Sequence, residues 1–227
     1  SSTVNLTINP INDAPTLDTT ASTLTNINED LETSSNSGQT ISSFITDAHL
    51  NDVDGAITSA IAVTSVDNTN GSWQYSLDGT TWTNFSSTQN SIVNLTSALL
   101  LDGSELVRFL ANTNYNGDTT FTYRPWDKTS KATGDADSTI FDAGSSHVGT
   151  RSADLGVATL SVSALNDAPT VTSFTNTLSP INEDELTYNT FTVANFSNDK
   201  IIDIDPNSST GIAITELPLS GNGTWQY

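Results

Sequence analysis

Ser72-Trp73-Gln74-Tyr75-Ser76-Leu77-Asp78-Gly79-Thr80-Thr81-Trp82-Thr83-Asn84-Phe85 is the stretch that decides the fold. Trp73 and Tyr75 alternate with polar residues, and Trp82 and Phe85 follow beyond Asp78-Gly79. An Asp-Gly pair accepts the positive backbone angles of a tight turn, so the stretch reads as a β-hairpin. Trp73 and Trp82 are expected to fill a core. Working outward, runs of strand character lie at residues 4–8, 40–45, 60–66, 106–111, 119–126 and 157–164, each bounded by Gly, Asn, Asp or Pro. No segment keeps a helical period over ten residues. Many short strands with regular turns predict an all-β sandwich.

The landmarks then recur in order. Asn12-Asp13-Ala14-Pro15 returns as Asn166-Asp167-Ala168-Pro169, 154 residues on (166 − 12). Ile27-Asn28-Glu29-Asp30 returns as Ile181-Asn182-Glu183-Asp184, again 154 on (181 − 27). Asp52-Val53-Asp54 returns as Asp203-Ile204-Asp205, 151 on (203 − 52). Asn70-Gly71-Ser72-Trp73-Gln74-Tyr75 returns as Asn222-Gly223-Thr224-Trp225-Gln226-Tyr227, 152 on (222 − 70). Ordered landmarks separated by small insertions mark a duplicated domain whose loops absorb the differences. Residues 1–15 read as the last strand of a preceding repeat plus a linker, 16–168 as a complete repeat, and 169–227 as the first part of the next.

Charge narrows the function classes. Six Lys and Arg stand against 26 Asp and Glu, a formal charge of −20. Nucleic acid is thereby excluded as a partner, because phosphate contacts need Lys and Arg. The acidity has two readings, a solvated surface or sites for divalent cations, and composition leaves both open. Absence of cysteine removes disulfides, thiolate metal sites and cysteine nucleophiles. No apolar run is long enough to span a bilayer. Hydrophobic residues make up 35%, which suits thin β-layers with one apolar face better than an α/β enzyme.

Catalysis finds little support in the motifs. His49 and His147 are the only histidines, and neither lies in a nucleophile or zinc motif. The carboxylates recur at repeat spacing instead of converging once, so the chain is expected not to be an enzyme. Residues 128–156 form a long polar stretch between two strands, carrying His147 and Lys128, Lys131 and Arg151, three of the six positive charges. It reads as a decorated hairpin, with ligand contact as the alternative.

Taken together, Ile27-Asn28-Glu29, Gly38-Gln39-Thr40-Ile41 and Asp52-Val53-Asp54 resemble the cadherin pattern of a Glu start, a Gly-Thr strand and an Asp-x-Asp loop. Asn12-Asp13-Ala14-Pro15 is similar to the cadherin linker, and Asp127 sits where cadherins have Ala-x-Asp. The Trp-Gln-Tyr-Ser hairpin, Val107-Arg108-Phe109 and Tyr115-Asn116-Gly117-Asp118 resemble bacterial cadherin-like repeats, joined by Asn-Asp-Ala-Pro, of large RTX and type I-secreted surface adhesins. The resemblance covers the whole chain. It implies tandem cadherin- or immunoglobulin-like β-sandwich repeats at the bacterial cell surface, secreted, holding Ca²⁺ between repeats, and serving cell adhesion as an extender. The implied ligands of the first linker are Asn12, Asp13, Asp52, Asp54 and Asp127. Those of the second are Glu29, with Asp30, and Asn166, Asp167, Asp203 and Asp205. Glu183, at the Glu29 position of the next repeat, is counted with them. Asp102-Gly103-Ser104-Glu105 is the nearest match to the cadherin Asp-Arg-Glu triplet, with different spacing. The implied partners are neighbouring repeats of the same chain. Alternatives on the same fold are a module binding surface glycans, or a sheath or surface-layer fibre in which copies meet head to tail.

Overall fold

The computed structural model describes residues 2–18, 22–45, 50–55, 59–85, 98–128, 136–137, 155–173, 180, 182–184, 190, 192, 194, 197, 200–209 and 211–216. Two compact units divide the chain, Ser1–Leu165 and Asn166–Tyr227. The described secondary structure is dominated by strands, and the fold class is all-β.

In the first unit the quoted hairpin forms as expected. Strand β7 (Gly71–Ser76) pairs with β8 (Thr83–Asn84), Gln74 opposite Asn84 and Tyr75 opposite Thr83. Asp78 Oδ1 accepts the Thr80 N–H at 2.8 Å, the Thr81 N–H at 2.6 Å and the Ser76 hydroxyl at 3.1 Å, while Gly79 takes φ +74°. These donors, the Thr81 backbone N–H foremost, hold the Asp78 carboxyl well below the ordinary carboxylate range.

Two sheets surround one core. The first runs β4 (Gln39–Thr40), β10 (Leu106–Ala111), β7, β8. The second is seven-stranded, in the order β12 (Ala136–Asp137), β9 (Ala98–Leu101), β6 (Ile61–Val66), β11 (Gly117–Pro125), β13 (Gly156–Ser163), β2 (Ser22–Thr23), with β3 (Ile27–Asn28) further along β13. Thr119, Phe121 and Tyr123 of β11 and Ala158, Leu160 and Val162 of β13 are buried, the period of two of a half-buried strand. Trp73 crosses to this sheet: its ring lies 5.1 Å from Phe121, and its Nε1–H donates to Thr119 Oγ1 at 3.1 Å. A large apolar ring with its one donor satisfied suits a core position.

Several expectations are corrected. Residues 40–45 leave β4 and turn into a short helix α1 (Ile41–Phe44). Ile41, Phe44 and Ile45 are buried at helical spacing, which the polar Ser42 and Ser43 disguise as a strand pattern. Residues 4–8, read as the last strand of a preceding repeat, pair with no described strand of the first unit, and Val4, Leu6 and Ile8 are 91%, 85% and 84% exposed. Trp82 is half-buried rather than in the core. Its ring lies 3.9 Å from the Arg108 guanidinium carbon, and Arg108 and Gln74 alternate with Phe109 and Trp73, on the opposite side of their sheet. Within 128–156, Ala136–Asp137 adds a strand beside β9, where only a decorated hairpin was expected. Lys131, Arg151, His147 and His49 lie outside the described residues.

A small second cluster explains β9. Ala60, Ala62, Ala98, Leu100 and Trp126 are buried together, while Ile61, Val63, Leu99 and Leu101 join the main core. Both faces of the β6–β9 pair are covered, so Ala98-Leu-Leu-Leu101 carries no alternation.

At the entry to the first unit, β1 (Thr16–Leu17) pairs antiparallel with β5 (Leu50–Asn51). In the second unit, β14 (Thr170–Val171) pairs antiparallel with β15 (Ile201–Ile202). The closing landmark, 222–227, lies outside the described residues.

Candidate metal-binding loops

The β1–β5 ladder sets Thr16 opposite Asn51, which draws the linker before β1 onto the acidic turn after β5. In that turn the Asp54 N–H donates to Asp52 Oδ1 at 2.9 Å, a local Asx closure. The Asp13 N–H of the linker donates to Asp54 Oδ2. Asn12 Nδ2 donates to Asp127 Oδ2 at 2.7 Å and to the Asp13 carbonyl at 3.2 Å. Asn12, Asp13, Asp52, Asp54 and Asp127 therefore form one hydrogen-bonded set, drawn from the linker, the exit of β5 and the exit of β11. Among the described residues of the first unit, no three carboxylates lie within a single ion's reach of one another. The set offers carboxylate and amide oxygens and no sulfur or imidazole, a donor chemistry suited to hard cations such as Ca²⁺, Mg²⁺ or Mn²⁺ rather than zinc.

The second unit repeats the set except for the Asn12–Asp127 bond, which has no counterpart among the described residues. Asn166 Nδ2 donates to the Asp167 carbonyl at 2.8 Å, the Asp167 N–H to Asp205 Oδ2 at 2.7 Å, and the Asp205 N–H to Asp203 Oδ1 at 3.0 Å. Thr170 Oγ1 donates to the Ile202 carbonyl at 3.1 Å, as Thr16 Oγ1 does to Asn51 at 3.2 Å.

Glu29 and Asp30 follow β3 at the other end of the first unit. Glu29 is 2% exposed. Its N–H donates to the Ser163 carbonyl at 2.9 Å, its Oε1 accepts the Leu165 N–H at 2.6 Å, and its Oε2 accepts Asn116 Nδ2 at 3.0 Å. Asp30, at φ 55°, accepts the Asn114 N–H at 3.0 Å. Asp184 repeats the left-handed turn at φ 62°, but Glu183 is exposed.

The nearest match to the cadherin triplet is satisfied by an ammonium. Asp102 Oδ2 pairs with Lys128 Nζ at 2.7 Å, and the Asp102 N–H donates to Glu105 Oε2 at 2.7 Å. Lys128 and Asn116 have site-facing roles that the sequence reading did not assign. For Asn116 the signal was available, in the Tyr115-Asn116-Gly117-Asp118 run that carried part of the resemblance. Compared with known proteins, the chain matches no family model, no curated protein and no solved structure.

Proposed function

We propose that this chain is a spacer segment of a large extracellular bacterial adhesin or surface filament, built of cadherin-like sandwich repeats and stiffened by Ca²⁺ at its Asn-Asp-Ala-Pro linkers. The role is mechanical rather than catalytic: repeats in tandem hold an adhesive end away from the cell. One observation carries the reading. In each unit the linker Asp amide is bound by the second carboxylate of an Asp-x-Asp turn, Asp13 by Asp54 and Asp167 by Asp205. A linker tied to an acidic loop at repeat spacing is where a cation has most to act on. Its charge relieves repulsion among the carboxylates. Because it binds only the ordered arrangement, it stabilises that arrangement, by about 2.7 kcal/mol at one hundred times its dissociation constant.

The test is a calcium titration of the full chain followed by thermal melting and limited proteolysis. Calcium in the range of about 0.1–1 mM, typical of extracellular modules, is expected to raise the melting temperature and protect the linkers from cleavage. Terbium offers a local readout, since Trp126 adjoins Asp127 and should sensitise its luminescence. The double variant D52N/D54N is expected to lose the first-linker signal. No change with calcium in either melting or cleavage would return the acidic motifs to solvated turns.

A further inference from the structure

Glu29 is a buried carboxylate, and such a group must be met by donors. Its two side-chain donors differ in kind. One is the Leu165 N–H, where the chain leaves β13; the other is the Asn116 side chain, reaching in from an exposed loop. That loop is braced independently. Asn112 N–H donates to the Asn70 carbonyl at 2.9 Å and Tyr115 N–H to the Asn112 carbonyl at 3.1 Å. The Tyr115 hydroxyl donates to the Asp118 carbonyl at 2.8 Å, and the Asn114 N–H to Asp30 at 3.0 Å. Gly117 takes φ +138°, where a Cβ would stand 3.0 Å from the Tyr115 hydroxyl oxygen. Every brace orients residue 116 without using its side chain.

We infer that Asn116 is the positioning residue for Glu29, fixing its carboxylate against the Leu165 amide and so setting how the chain leaves β13. An amide is the suitable group. It donates to the carboxylate without adding charge, whereas a carboxylate at 116 would face Glu29 across about 3 Å and repel it. The value of this placement for cation binding rests on the function proposed above, but the placement itself does not.

The experiment is amide hydrogen exchange at Leu165 in the full chain, first in chelator. Asn116→Ala is expected to exchange about tenfold faster than the parent at Leu165, and Asn116→Asp faster still. Thr113→Ala serves as the control. It changes an exposed residue of the same loop that takes part in none of these braces and removes no donor from Glu29, and should leave Leu165 protected relative to its neighbours. Unchanged Leu165 protection in both Asn116 variants overturns the inference, as does equal loss in Thr113→Ala. Calcium is then added. Recovery of Leu165 protection in Asn116→Asp but not in Asn116→Ala supports a cation between the paired carboxylates. Absence of any calcium effect in all variants sinks the cation role of Glu29, while the chelator data still decide its positioning.

Discussion

The two linkers share their contacts with the Asp-x-Asp turn but sit in different surroundings. At the first, Leu17 and Leu50 are buried behind the β1–β5 pair, 6% and 4% exposed. At the second, the matching Val171 is 62% exposed and Ile201 is half-buried. The docking of the linker amide on the Asp-x-Asp turn is nevertheless retained, as are the Thr–carbonyl bond and the ladder register. The acidic turn is therefore a local construction, held by Asx closure and two rungs of sheet. The Glu-Asp motif teaches the opposite lesson. Asp30 and Asp184 share their backbone turn, yet Glu29 is buried and bonded to Leu165 and Asn116 while Glu183 is exposed. The Glu29 site is tertiary: its donors come from the exit of β13 and from the 112–118 loop, and residues 166–227 hold no counterpart of either.

Substitutions can break this contrast, and the largest effect is expected in the core. Trp73→Ala should destabilise the first unit by about 3–5 kcal/mol in denaturant unfolding. Exchange protection of the Asp205 amide should persist, and its loss would mean that the second acidic turn is not local. Next comes Glu29→Ala, expected to cost about 1–3 kcal/mol, against less than about 0.5 kcal/mol for Glu183→Ala. Similar losses would erase the distinction between tertiary and local motifs. Asp54→Ala and Asp205→Ala should each cost about 1 kcal/mol in chelator, and equally, because each removes one acceptor from a linker amide. Unequal losses would show that the core behind the first pair contributes to the turn.

The smallest effect belongs to Asp78. Its folded carboxyl is depressed, so its stabilisation is complete above the unfolded carboxylate value of about 3.9 and fades as pH falls through the lower folded value. Asp78→Ala should therefore melt slightly below the parent at pH 7, with the gap closing on acidification. A gap that persists at low pH would assign the effect to backbone geometry rather than charge.

Much of this was readable beforehand where one face is wet. Strands β6, β7, β10, β11 and β13 show alternation or turn chemistry, and the hairpin follows from Asp78-Gly79. Strand β9 did not, because burial on both faces removes the alternation. Helix α1 was concealed by its length, four residues being too few to display a helical period against a strand-like Thr40-Ile41-Ser42 start. Among the site residues, Asp52, Asp54, Asp203 and Asp205 announce themselves by spacing and duplication. Asn116 lies in the Tyr115–Asp118 run that the resemblance marks, but its partner, like that of Lys128, is not legible, since the two meet their carboxylates across 87 and 26 residues of chain, a proximity that only the folded sheets create.

Strand β13 has one further property, visible once the chain is imagined under tension. It lies parallel to β2 and β3, with Leu24 N–H on the Thr159 carbonyl and Glu29 N–H on the Ser163 carbonyl, both at 2.9 Å. The chain enters the first unit before β2 and leaves it after β13. Pulling these two ends apart drags neighbouring parallel strands past each other, so the rungs are loaded together in shear rather than unzipped singly. Resistance to such force is a matter of the unfolding barrier, not of equilibrium stability. In single-molecule pulling, the expected record is one abrupt rupture per repeat, at lower force in Glu29→Ala, with no gradual peeling before it.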